Sequence, residues 1–322
     1  MRGYNYSVEE CDVPEVRRKA LQEYRDFRLK CLEYIHSEAD TSVASQICRL
    51  AWHTAVFKTL NEARRLEPNR AVNGPMWNLI ADGYVTLVTL GVRRLVDGDE
   101  RSDSLWHVLE KLRKRPELLK REHYVCFDGV QFDGAAACSR YMSQLSHSIA
   151  VGGDEDGELI SRDSDWGMSE ILHKMFDRLT DFPSKRKRAD KISPNVIETL
   201  IKQIESPVIK RVRDLANRRF AHAERIKSNY PLPIITFQDV DDALKIICRV
   251  TNFLSAAIFQ DATFARFVPV PQYNVLENLD VSLISNEFLP ELHRQWRTVC
   301  KEMDDWGGGL DDEFFARPVR SG

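Results

Sequence analysis

The sequence has little of what marks a secreted, membrane-spanning or generally basic protein. Its 322 residues include seven cysteines, an odd number with no CxxC pair, which argues against a disulfide framework and a zinc site. No apolar run approaches a membrane span, and the stretch before Pro14 lacks a signal peptide's apolar core. The formal net charge is −3, which excludes a wholly basic surface. We therefore expect a cytoplasmic protein with free thiols, no membrane contact, no metal and no cofactor.

Strand signals are scarce as well, whereas helical spacing is frequent. Apolar residues recur at steps of three and four along most of the chain, the spacing of a buried helical face. The sequence therefore predicts an all-α helical bundle. The predicted helices cover residues 14–36, 40–66, 73–96, 105–112, 135–149, 169–179, 193–204, 206–225, 237–259 and 288–303.

The pattern also predicts a domain organisation. We expect one helical domain over 14–260, with a long insertion at about 123–165 where helical spacing is lost. Within it, one helix is followed by a glycine-rich acidic loop at 150–165. An irregular C-terminal extension follows over 261–322, with an extended segment at 264–271 and ordered structure ending at 306–309. Residues 1–13 are expected to be a frayed tail, and 185–188 (KRKR) an exposed basic loop.

Residues 206–225 (SPVIKRVRDLANRRFAHAER), called the signature helix below, place charged groups where core residues are due. A Ser-Pro pair suits a helix start. At about 100° per residue, Leu215 and His222 point the same way to within about 20°. Arg218 and Arg219 come one turn earlier, on either side of that direction, and Arg219 is the closer to the apolar face. An imidazole and two guanidiniums thus follow an apolar stripe.

Four short segments together resemble a known family. Residues 217–222 (NRRFAH) are similar to the end of the conserved helix of HEPN domains in the abortive-infection, AbiU-like branch. Residues 76–80 (MWNLI), 91–97 (GVRRLVD) and 104–106 (SLW) resemble that branch's long helix and the start of the next one, in the same order. The resemblance spans about 25–240. It implies a HEPN-like bundle acting in phage defence or a toxin–antitoxin system, often as a metal-independent ribonuclease that dimerises.

One departure from the ribonuclease form of that motif lies in its spacing. That form places four to six residues between an arginine and the histidine. Counted back from His222, the window holds residues 215–217 (LAN) and no arginine. Arg218 is one position too close and Arg213 is too far. The departure favours the alternative, a non-catalytic HEPN-like module that binds RNA, a nucleotide or a protein partner.

The candidate catalytic residues are His222, Arg218 and Arg219. An imidazole with an ordinary pKa of about 6.5 exchanges protons near neutral pH, and an RNA 2′-hydroxyl attacking its own phosphodiester needs such a group. A guanidinium fork would stabilise the charged transition state. The alternative for His222 is a helix-terminal residue that caps carbonyl groups.

A basic face accompanies these residues. The candidate nucleic-acid-binding residues are Lys210, Arg211, Arg213 and Arg225. Basic helical faces are most often simply solvated, so the alternative remains open. Expected partners are RNA, a second copy of the chain, and an antitoxin or other protein. On the third predicted helix we expect Arg93 or Arg94 to pair with Asp97 within the bundle.

Overall fold

The computed structural model describes residues 3–66, 74–99, 101–151, 166–183, 186–221, 231–261, 274, 276–277 and 286–305. Side chains at 144–145, 147–151 and 304–305 lie outside that description. The chain divides into two compact units, Met1–Pro269 and Val270–Gly322. The predicted boundary at 260/261 stays a prediction. The acidic loop at 152–165, the segment at 264–271 and the glycines at 307–309 lie outside the described residues.

The all-α prediction is confirmed. The first unit contains α1 Arg18–His36, α2 Val43–Leu66, α3 Gly74–Leu95, α4 Leu105–Lys114, α5 Arg121–Cys126, α6 Gly134–Val151, α7 Trp166–Asp177, α8 Pro194–Ile204, α9 Pro207–Leu215 and α10 Phe237–Phe253. Segments of π-helix, Ala216–Ala221 and Leu254–Ile258, continue α9 and α10. Among the described residues, β pairing is limited to one isolated bridge between Lys120 and Lys191.

The core of the first unit follows from the apolar spacing. Helix α3 packs between α2 and α9, and α10 crosses α2, α3, α8 and α9. Helix α4 packs on α1 and α8, and α5 packs on α7. At Gly91 of α3 an added Cβ would lie 2.5 Å from Leu50 Cδ2 of α2. Gly91 therefore leaves room for the buried Leu50 side chain in the contact between the two helices. All seven cysteines are free thiols, as predicted.

The expectation of a frayed N-terminal tail is wrong. Val8, Cys11 and Val13 are buried, and the Tyr4 hydroxyl donates to the Arg25 carbonyl at 2.9 Å. The buried Arg25 guanidinium also lies 4.3 Å from the Tyr4 ring centroid. The segment packs because three apolar side chains and an aromatic ring bury enough surface to offset the entropy of ordering it.

The stretch predicted as an insertion begins with buried structure. Every residue of α5 is buried, although its sequence, REHYVC, shows no apolar periodicity. The predicted helix at 135–149 is present as α6. The insertion boundaries therefore stay a prediction, while its first residues belong to the core of the first unit.

The second unit contains the predicted C-terminal helix. A short 3₁₀ turn, Asn286–Phe288, leads into α11, Leu289–Asp305. Its Trp296 is 70% exposed. None of the helices in the described part of the chain is long and apolar enough to span a bilayer.

Candidate functional site

The signature helix breaks away from α8 where the sequence predicts. Ser206 precedes Pro207 at the first helical position, and Ile209, Val212 and Leu215 form the buried face of α9. Beyond Leu215 the helix widens into a π segment, Ala216–Ala221. A π-turn uses more residues per revolution than an α-turn, so each residue advances through a smaller angle. The premise of a continuous α-helix is therefore wrong, and the predicted alignment of His222 with Leu215 no longer follows.

The two candidate catalytic arginines have different surroundings. Arg218 is buried, and its Nη1 donates to the Pro231 carbonyl at 2.9 Å and lies 3.7 Å from Asp214 Oδ2. Arg219 is exposed, with its guanidinium carbon 5.4 Å from the centroid of the neighbouring Phe220 ring. The prediction that Arg219 lies nearer the apolar face is wrong, because Arg218 is the buried arginine and binds the Pro231 carbonyl, whereas Arg219 is exposed.

Two further predicted site residues cannot be placed. His222 and Arg225 lie outside the described residues, which end at 221 and resume at 231. Their roles stay predictions.

The remaining basic residues of the signature helix differ in their exposure and in their ion pairing. Lys210 is exposed and Arg213 is half-buried. Arg211 is paired with Asp239 at the start of α10. The Thr236 backbone N–H and the Arg211 guanidinium lower the pKa of Asp239 to about 2. Arg211 is therefore committed to the cap of a neighbouring helix, which the sequence alone does not reveal.

Arg93, on the last turn of α3, contacts the π segment. Its Nε donates to Asn217 Oδ1, and its Nη2 lies 3.8 Å from Asp97 Oδ2. Its side chain remains 30% exposed. The predicted pairing with Asp97 is confirmed. Arg93 and Asn217 are 124 positions apart in the chain, so no local sequence pattern predicts their contact.

A second group of charges fastens α5, α7 and the loop before α8. We call Arg121, Glu122, Asp177, Arg186, Arg188 and Asp190 the ion-pair cluster. Arg121 is fully buried, with Nη1 2.6 Å from Asp177 Oδ1 and Nε 3.1 Å from Asp190 Oδ2. Burial by itself would raise the pKa of Asp177, but hydrogen bonds from Arg121 and Arg186 bring it below its ordinary value.

This cluster corrects the expectation of an exposed basic loop at 185–188 for Arg186 and Arg188, whereas Lys187 is exposed as expected and residue 185 lies outside the described residues. Arg186 pairs with Glu170 at 2.7 Å and with Asp177 at 2.8 Å. Arg188 pairs with Asp12 at 2.9 Å and with Glu122 at 2.8 Å, and lies over the Phe132 ring. Four carboxylates, 9 to 176 residues away in the chain, hold these two arginines, which are therefore part of the fold.

A cavity of about 600 Å³ lies between α6 and α7. His173 lines it, but its Nε2 is 2.8 Å from the Phe132 carbonyl, and Arg186 there is paired with Glu170. Both of these lining side chains are thus already bound within the protein. Within the described residues, no group of three or more histidine, cysteine or carboxylate side chains could hold a metal ion.

Comparison with known protein families shows a match over most of the chain. The family model HEPN_AbiU2, described as AbiU2, matches residues 29–298, which is most of the chain. The match includes the ends of α3 and α9 and continues into α11. Neither the curated proteins nor the solved structures compared with the chain include a match.

Proposed function

The chain belongs to the AbiU2 family of HEPN proteins, and we propose that it is a phage-defence or toxin–antitoxin protein that cleaves RNA without a metal ion. The observation that carries the proposal is the exposed Arg219 three positions before His222 in the sequence, at the end of a helix that also exposes Lys210. A guanidinium in solvent so near an imidazole in the chain suits a phosphodiester substrate.

The proposed chemistry is an internal transfer at phosphorus. His222 accepts the proton of a ribose 2′-hydroxyl, whose oxygen attacks the adjacent phosphorus. The bond from phosphorus to the 5′-oxygen of the next nucleotide breaks, and that oxygen takes up a proton from water. The products are a 2′,3′-cyclic phosphate and a 5′-hydroxyl. Arg219 stabilises the extra negative charge of the five-coordinate transition state.

The test is cleavage of RNA by purified protein in EDTA, compared with His222→Ala. Removing proton transfer should lower the rate by about 10²–10⁴-fold. Arg219→Lys should also slow cleavage at unchanged melting temperature, because a point charge cannot reproduce a forked contact. Arg218→Lys should instead lower the melting temperature, because Arg218 is buried against Pro231.

Loss of cleavage in His222→Ala without loss of stability supports the proposal. Intact RNA with the wild-type protein, together with a lower melting temperature in His222→Ala, would contradict it and make His222 a capping residue. Dimer formation, an antitoxin partner and a cytoplasmic location belong to this proposal too. Sedimentation of the purified chain tests the dimer.

A second function, binding RNA or a protein without cleavage, is favoured by a specific observation. Arg218, the arginine nearest the required spacing, is buried and already bound to Pro231 and Asp214. Because these contacts already hold the guanidinium of Arg218, the chain would keep the HEPN fold but would not cleave RNA. RNA binding with no cleavage by the wild-type protein would select this alternative.

A further inference from the structure

In the described part of the chain, the guanidiniums of Arg93, Arg218 and Arg219 lie at or near the π segment. They differ in how firmly other groups hold them and in how exposed they are. Arg218 is buried and bound to a backbone carbonyl. Arg219 is exposed, and its described contact is the ring of Phe220. Arg93 combines the two properties, because its side chain is 30% exposed and is held by polar groups. An oriented guanidinium loses less conformational entropy when it binds an anion.

The contacts of Arg93 leave donors available. Its Nε donates to Asn217, and since Nε can only donate, the amide atom facing it must be the oxygen. Its Nη2 is 3.8 Å from Asp97 Oδ2, a distance of weak pairing. Within the described residues, Nη1 has no hydrogen-bond partner. The Nη edge of the fork, which matches a phosphate, is thus only lightly engaged.

We infer that Arg93 is a phosphate-binding residue that contacts the RNA backbone, with Asn217 and Asp97 as the positioning residues that orient its guanidinium. Asn217 joins the end of α3 to the π segment, five positions before His222 in the chain. Residues 215–217 of the signature helix contain no arginine. Arg93 of α3 supplies a guanidinium beside Asn217 instead. The choice of RNA as ligand rests on the proposed function.

The probe is a mixed-sequence 2′-O-methyl oligoribonucleotide, which cannot be cleaved because its 2′-hydroxyls are blocked. Binding is measured by fluorescence anisotropy at several salt concentrations, with the melting temperature of each variant. Arg93→Gln should raise Kd roughly ten- to hundredfold through loss of a charge-assisted hydrogen bond. The slope of log K against log salt should fall by about 0.7, the loss of one contact to a single strand.

Three further variants separate charge, geometry and local position. Arg93→Lys should keep the salt slope but weaken binding, because it retains the charge and loses the fork. Asn217→Ala should raise Kd roughly two- to tenfold at an unchanged slope. Arg94→Gln is the matched control, since it removes the same charge from the adjacent exposed position. It should change Kd by less than about twofold, because salt screens an exposed charge.

The outcomes distinguish this inference from the proposed function. If Arg93→Gln and Arg94→Gln bind alike and only the former melts earlier, Arg93 is a structural tie and the inference is wrong, even where the wild type cleaves RNA. If the wild type does not bind the probe, the inference is also wrong. If binding depends on Arg93 but unmodified RNA stays intact, the inference stands and the ribonuclease proposal fails.

Discussion

Around α5 and α7, Arg121 and Arg188 each pair with two carboxylates at 2.6–3.1 Å, whereas at the end of α3 Arg93 lies 3.8 Å from the carboxylate of Asp97. Both regions join elements that are distant in the sequence. In the first, Arg121 is fully buried and Arg188 is 28% exposed, close to the 30% of Arg93, so Arg188 and Arg93 differ in their distance to carboxylates rather than in exposure. In the second, an amide and a weakly paired carboxylate orient the cation without neutralising it closely.

The difference teaches how to separate structural from ligand-binding arginines in this molecule. Burying a charge costs several kcal/mol unless partners satisfy it, so the ion-pair cluster needs its carboxylates to fold. Arg93 is not neutralised at close range, since its carboxylate partner is 3.8 Å away, and it remains available to an anion. Arg218 belongs with the structural group, although the sequence places it beside His222.

The largest effect should come from breaking the ion-pair cluster. Glu122→Ala removes a carboxylate whose side chain is 1% exposed and which lies between Arg17 and Arg188. We expect a loss of about 3–5 kcal/mol in the free energy of unfolding, because Arg188 loses a buried partner. Urea unfolding measures it, with Glu117→Ala as the control in an exposed pair. Equal losses of unfolding free energy in the two variants would show that the buried Glu122 stabilises the fold no more than the exposed Glu117 does.

A smaller effect concerns His123, next to the cluster. Burial lowers the pKa of His123, and its Nδ1 is 2.8 Å from the Leu118 carbonyl. Below pH about 6.5 the unfolded chain binds a proton that the folded imidazole resists, so stability falls as the pH drops. Burial lowers the pKa of His36 and His173 in the same sense.

His123→Asn keeps a donor near Nδ1 and removes the titrating group. We expect it to cost about 1–2 kcal/mol at pH 7 through lost packing. The fall in melting temperature between pH 7 and 5 should be smaller than in the wild type. The same substitution at the exposed His293 is the control. A His123→Asn profile identical to the wild type would contradict the assignment.

The smallest effect on stability is expected at the pair between Arg211 and Asp239. Asp239→Asn weakens the cap of α10 and releases Arg211 from its pair. Loss of the cap should cost about 1 kcal/mol at pH 7. Because the folded pKa of Asp239 is about 2, this contribution is present above the unfolded pKa and is lost as the pH falls from about 4 to about 2.

A second readout of the same variant is RNA binding. The freed Arg211 and the lost negative charge should tighten binding of the 2′-O-methyl probe slightly. Asp242→Asn, which removes a negative charge from the same helix and keeps an oxygen that can accept from Gln238, is the control. If both variants change the affinity equally, net charge rather than Arg211 is responsible.

The helices themselves could be predicted because their signal is local. Apolar steps of three and four residues mark α1, α2, α3 and α10, and the Ser-Pro pair marks the start of α9. The fate of individual charges could not be predicted in this way. The partners of Arg188 are 176 and 66 residues away, and local spacing holds no information about either.

The sequence by itself determined the helical fold class, the break before α9 and the similarity to the AbiU-like HEPN branch, because each rests on neighbouring residues in the chain. Tertiary structure alone decided which arginines are buried, paired or open. It placed Arg186 and Arg188 in structural ion pairs, buried Arg218 with a hydrogen bond to the Pro231 carbonyl, and brought Arg93 to Asn217. Charge becomes structural or available only when packing sets its distance from carboxylates, backbone carbonyls and water.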